Sequence, residues 1–147
     1  MDIFLTTEFV SEVTSILKNN SYADCEDSLI GSIFTQKIDQ IKSTGCKRLG
    51  GNADSNPFLR KRIEIAHAGK SGGYRLYFWL FIKEENVYLL FIHPKAGKKG
   101  GENLTVEKQK ELVNTFKTCK NNGTFIQVEY DNNQNKIIYC SNKKAVF

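Results

Sequence analysis

The sequence offers little from which a metal centre, a disulfide framework or a membrane anchor could be built. Its four cysteines, Cys25, Cys46, Cys119 and Cys140, are widely scattered, and none stands in a C-x-x-C pair. Only His67 and His93 could join them, so no ligand set with zinc-like spacing is expected. No apolar run approaches the ~18 residues that a membrane span requires. The opening Met1-Asp2-Ile3-Phe4-Leu5 has neither a basic stretch nor a long apolar one, so no secretory signal is read there. A cytoplasmic setting is the default expectation, and disulfides are disfavoured in it. Gly69-Lys70-Ser71 is no triphosphate-binding loop, because the upstream glycine spacing and the following helix are both missing. No internal repeat or low-complexity segment breaks the chain.

What is present suits one soluble globular domain over residues 1–147. Hydrophobic residues make up 40% and charged residues 25%, enough apolar material for a sizeable core. A net charge of +5 makes polyanions plausible partners, although a basic balance alone also suits a protein with no nucleic-acid role.

Three apolar-rich runs, Ile63 to Ala66, Tyr74 to Lys83 and Val87 to His93, are rich in the aromatic and branched residues that favour strands. The short break Glu84-Glu85-Asn86 suits a hairpin turn, so an antiparallel core is expected. Thr6 or Thr7 can cap a first helix reaching Lys18, with Phe9, Val13, Ile16 and Leu17 on one face. A second helix is expected from Asp24 or Cys25 to Lys42, burying Leu29, Ile30, Ile33, Phe34, Ile38 and Ile41. Residues 43–57 read as a long glycine-rich connecting loop. Thr105 caps a later helix through about Cys119, with Leu112, Val113 and Phe116 inward. Thr124 to Tyr130 and Lys136 to Cys140 read as an added hairpin within residues 120–147.

Strand alternation sorts the cations. Lys61, Ile63 and Ile65 share a core-facing side, with Lys61 at its rim, while Arg60, Arg62 and Glu64 share the other. Tyr74, Leu76, Phe78, Leu80 and Ile82 form the more apolar set of the next strand, which leaves Arg75, Tyr77 and Trp79 on the more open face. Those rings either stack on nucleotide bases or pack against the rest of the chain. Likewise, Arg75 either meets phosphate or pairs with Glu64 across the strands.

Leu59-Arg60-Lys61, Gly69-Lys70-Ser71-Gly72-Gly73-Tyr74-Arg75, Val87-Tyr88-Leu89-Leu90, Lys95 and Asn103-Leu104-Thr105 follow one another in an order that resembles the RelE/HigB-type toxins of bacterial toxin–antitoxin pairs. The resemblance covers Lys47 to Val113. It implies an α+β fold with N-terminal helices packed on one face of a mainly antiparallel sheet, the cations gathered on the other face, and the C-terminal hairpin as an addition. It further implies an endoribonuclease that cleaves mRNA at the ribosome without metal or other cofactor, and a cognate antitoxin as partner. Arg75 would bind the scissile phosphate, Lys61 and Arg62 would stabilise charge or act as base, and Lys95 would complete the set. His93 is a candidate acid or base, since imidazole titrates near neutrality. Lys47, Arg48, Arg60, Lys70, Tyr77, Lys98 and Lys99 would contact RNA. Two other readings stay open: a catalytically inactive member that binds RNA or protein, and a toxin directed at a protein such as DNA gyrase.

Overall fold

A computed structural model describes residues 1–43, 45–65, 72–96 and 100–147. The architecture is α+β, built on an open seven-stranded sheet in the order β2-β3-β4-β5-β1-β6-β7. The strands are β1 (Asp2–Leu5), β2 (Cys46–Asn52), β3 (Asn56–Ile63), β4 (Tyr74–Phe81), β5 (Asn86–Pro94), β6 (Ile126–Asp131) and β7 (Lys136–Tyr139). All neighbouring pairs are antiparallel except β1 and β5. The central hairpin β4–β5 matches its sequence pattern, with Glu85 at φ 54 closing the turn.

Two strands lie where none was expected. The span 43–57, read as a loop, contains all of β2 and the start of β3. Their glycines hid the alternation, yet Gly51 serves the hairpin: at φ 69 it lies so close to the Asn56 carbonyl that no Cβ would fit. The segment Met1 to Leu5 supplies β1, whose Ile3 and Leu5 are buried and whose two edges join β5 to the C-terminal hairpin. That hairpin, β6–β7, lengthens the sheet.

On one face lie α1 (Thr7–Leu17), α2 (Cys25–Leu29) and α3 (Ile38–Ser43). Phe9, Val13, Ile16, Leu29, Ile33 and Ile41 pack there against Leu76, Phe78, Leu80, Val87, Leu89 and Ile92. Thr6 caps α1 by accepting from the Phe9 N–H at 3.0 Å. The expected single helix to Lys42 is broken instead: α2 runs into a π-turn, Ile30–Phe34, and α3 starts afresh at Ile38. Local side chains account for the break. The Thr35 hydroxyl donates to the Ile30 carbonyl at 3.1 Å, Gln36 Nε2 donates to the Gly31 carbonyl at 2.9 Å, and Gln40 Oε1 accepts from the Lys37 N–H at 2.9 Å.

The opposite face is not left to the cations alone. Helix α4 (Val106–Asn122), capped by Thr105 as expected, covers part of it. Leu112 and Phe116 seal a second core of Phe58, Tyr77, Tyr88 and Leu90. Phe116 stacks on Trp79 at 4.7 Å and on Phe81 at 5.8 Å, and meets Tyr88 edge-on at 5.2 Å. The helices therefore sandwich the sheet. Truncating Phe116 to Ala should cost about 3–5 kcal/mol of stability in urea denaturation, because four aromatic partners, Phe125 included, lose their contact at once.

Candidate functional site

Beyond the reach of α4, the same face carries a row of cations. Arg62 of β3 lies directly opposite Arg75 of β4, which lies opposite His93 of β5. The next row runs Lys47, Arg60, Tyr77 and Phe91. Lys95 stands two residues past His93, and its pKa is lowered first by desolvation and then by the charges of Arg62 and Arg75. Arg60, Arg62, Arg75 and Lys95 form no ion pair among the described residues, where the salt bridges are Lys108–Glu111, Lys136–Glu26 and Lys143–Glu129. The pairing of Arg75 with Glu64 is thus not found.

The row is held from behind. Gly73, at φ 62 and packed so tightly on the Ile63 carbonyl that no Cβ would fit, immediately precedes β4, two residues before Arg75. Its carbonyl accepts from the Lys95 N–H at 3.0 Å. The Tyr22 hydroxyl donates to the Ala96 carbonyl at 2.8 Å, and the Tyr74 hydroxyl donates to Asp24 Oδ1 at 2.8 Å. These contacts fix both strand ends to the helical layer.

His93 is buried and committed on both ring nitrogens. Nδ1 lies 2.9 Å from the Pro94 carbonyl, which can only accept, so Nδ1 carries the proton. Nε2 faces the Tyr77 hydroxyl at 3.5 Å, and that oxygen accepts from the Leu104 N–H at 3.1 Å. Burial lowers the His93 pKa; the Pro94 bond opposes the shift, and Arg75 and Arg60 add to it. The imidazole is a neutral tie between β4, β5 and the approach to α4.

The structure thus gathers Arg62, Arg75, Lys95 and His93, with Arg60 and Lys47 alongside. It separates other expected residues. Lys61 lies on the helical side of the sheet, 6% exposed, with Nζ donating to the Ile41 carbonyl at 3.0 Å. Arg48 pairs with Leu59, on the side away from Arg60, and its guanidinium donates to the Gly51 carbonyl at 2.9 Å. Tyr77 offers no stacking surface, being fully buried under Leu104 and α4, and Trp79 is packed between Phe58 and Phe116. Apolar area under α4 outcompeted the open-face reading. Lys70, Lys98, Lys99 and His67 lie outside the described residues. The C-terminal hairpin adds to the far edge of the sheet and leaves this end uncovered.

Two clefts flank the region. One, about 620 Å³ between α1 and α4, carries Glu8, Glu12 and Glu111, which disfavours phosphate. The other, about 590 Å³, lies at the end of β3 and includes Gln36, Gln40, Arg62 and Glu64. The amides went unnoticed in the sequence because only the broken helix brings them there. No protein-family model, curated protein or solved structure matches this chain.

Because the folded-state pKa of His93 is depressed, its contribution to stability is complete above the unfolded value of about 6.5 and is lost as pH falls through the folded value. The thermal midpoint should therefore drop on acidification below about pH 6.5. A His93→Gln protein, compared over the same pH series, should lack that component.

Proposed function

We propose that this chain is a RelE-like, toxin-type endoribonuclease that cleaves mRNA at the ribosome without a metal and is neutralised by a cognate antitoxin. One observation carries the reading: two arginines stand directly opposite each other on adjacent strands, beside a lysine, with no acidic partner among the described residues. Like charges placed opposite one another destabilise a sheet. A fold that holds them there from behind is preorganised for a polyanion, and fixed cations around a developing charge are a large catalytic term. The N-terminal helices on one face of a mainly antiparallel sheet also fit the resemblance.

In the reaction the ribose 2′-oxygen attacks the adjacent phosphorus, the P–O5′ bond breaks, and a 2′,3′-cyclic phosphate and a 5′-hydroxyl result. Arg75 holds two phosphate oxygens in its planar fork, and Arg62 neutralises charge that builds on the phosphorane. Lys95, whose pKa is lowered by desolvation and by the neighbouring Arg62 and Arg75, accepts the 2′-hydroxyl proton, and water protonates the departing oxygen. His93 positions β5 and transfers no proton. Lys47 and Arg60 extend the phosphate track. A second reading, RNA binding without cleavage, is favoured by His93, the one imidazole among the described residues, being committed on both ring nitrogens.

Arg75→Ala should lower mRNA cleavage by about 10²–10³-fold, and Arg75→Lys should also be impaired, with thermal midpoints near that of the parent protein. Cleavage and midpoint are measured on the same samples; a destabilised but proportionately active Arg75→Ala protein would remove Arg75 from the site. Binding of RNA should weaken steeply between low and moderate salt, because the counterions released on binding gain less entropy as the bulk salt rises. A flat salt profile would point to a protein partner instead.

A further inference from the structure

Cys46 and Lys61 are direct partners across β2 and β3. The Arg62 N–H donates to the Gly45 carbonyl at 3.0 Å, which makes Gly45 and Arg62 a hydrogen-bonded pair. Cys46 and Lys61, the next pair along, are then of the kind without ladder bonds, in which side chains stand closer. Both side chains reach one atom. The Cys46 thiol donates to the Ile41 carbonyl at 3.1 Å, and Lys61 Nζ donates to the same oxygen at 3.0 Å. Ile41 lies in the last turn of α3, where carbonyls have no partner within the helix. Two bonds of 3.1 and 3.0 Å to one oxygen put Sγ and Nζ no more than about 6 Å apart. Lys61 and Gly45 line the cleft of about 590 Å³, and Cys46 is half-buried, so a small oxidant can reach the pair. Burial raises the Cys46 pKa, and the Lys61 charge opposes that rise. Cys25 and Cys140 are placed differently. Cys25 is fully buried. Cys140 and Lys143 bind opposite oxygens of the Glu129 carboxylate, and its bond to Lys143 raises that amine's pKa.

We propose that Cys46 and Lys61 form a site of oxidative modification, at which hydrogen peroxide joins the two side chains through a sulfur–nitrogen bond. In the first step the Cys46 thiolate attacks one peroxide oxygen. The S–O bond forms, the O–O bond breaks, and the departing hydroxide leaves as water with the thiol's proton. The neutral Lys61 amine then attacks the sulfur of the sulfenic acid. The S–N bond forms, the S–O bond breaks, and one amine proton leaves with the hydroxide as a second water. Sulfur loses two electrons and the peroxide gains them. Sulfenic acids condense in this way with a nitrogen held close by. An added dithiol reverses the link, returning thiol and amine while it is itself oxidised to a disulfide. The bond would lock β2 onto β3 one residue from Arg62, at the end of the hairpin that carries the cation row.

The test treats the folded protein with hydrogen peroxide at about pH 9, where more of the thiol is ionised and more of the amine is neutral. Peptide mapping by tandem mass spectrometry should find a crosslinked pair that contains Cys46 and Lys61. Its mass should fall short of the two separate peptides by two hydrogens, and dithiothreitol should release both at their original masses. Near pH 6 the yield should be lower by at least about tenfold, since thiolate and neutral amine are both scarcer. Cys46→Ser and Lys61→Arg should each remove the link, and the second variant keeps a cation for the Ile41 carbonyl. Cys46 passing to the sulfinic acid without forming the link would overturn the proposal. So would Cys46 left intact while Cys140 is oxidised. A link at Cys46 that persists in Lys61→Arg would overturn it as well, because its nitrogen would then come from elsewhere.

Discussion

A strand pair that is apolar on both sides can face water on neither, and β4–β5 is such a pair. Phe78, Leu80, Val87, Leu89 and Ile92 require cover on one face, while Tyr77, Trp79, Tyr88 and Leu90 require it on the other. The N-terminal helices meet the first demand. Helix α4 meets the second only in part, because its 17 residues span roughly 25 Å and its buried Leu112 and Phe116 lie over the aromatic end. The uncovered end is where the side chains change from rings to cations. The position of the open site is thus a consequence of how far one helix reaches.

At that end the sheet maintains an arrangement that it would not adopt for stability alone. Arg62 and Arg75 are neighbours through strand register, and register is set by the apolar alternation of Leu59, Ile63, Tyr74, Leu76 and Phe78 beneath them. A one-residue slip would bury the cations, so the core enforces their proximity. Hydrogen bonds from Tyr22, Tyr74 and His93 then hold the strand ends that carry them. His93 illustrates how burial reassigns a residue: an imidazole that would titrate near neutrality in water is kept neutral and becomes a brace.

The far edge of the sheet is secured separately. Glu26, buried on α2, accepts from the Ile137 N–H at 2.9 Å and from Lys136 Nζ at 3.0 Å, joining the helical layer to β7. Removing that carboxylate would strand a buried backbone donor, which ties the hairpin to the rest of the fold. The hairpin, β1 and β5 form one continuous ladder, so the C-terminal segment supports the sheet from the side opposite the cations.

Alternation within β4, the strand-favouring composition of β5, the periodicity of α1, the Thr105 cap and the C-terminal hairpin were legible in the sequence, because each is a local pattern that survives without tertiary context. The placement of Lys61 on the core side, apart from Arg62, followed from the same alternation. Four features needed the tertiary structure. Strand β1 is too short to announce itself before it pairs, and β2 hides its alternation behind glycines that the hairpin requires. The second helix breaks because Thr35, Gln36 and Gln40 compete for its backbone groups, a balance that periodicity does not register. Tyr77 and Trp79 left the open face because α4, distant in sequence, buries more apolar surface by covering them than water gains by meeting them. Sequence assigned Arg60, Lys61, Arg62 and Arg75 to faces of their strands; only the register between strands, a long-range property of the packed core, made Arg62, Arg75 and Lys95 neighbours.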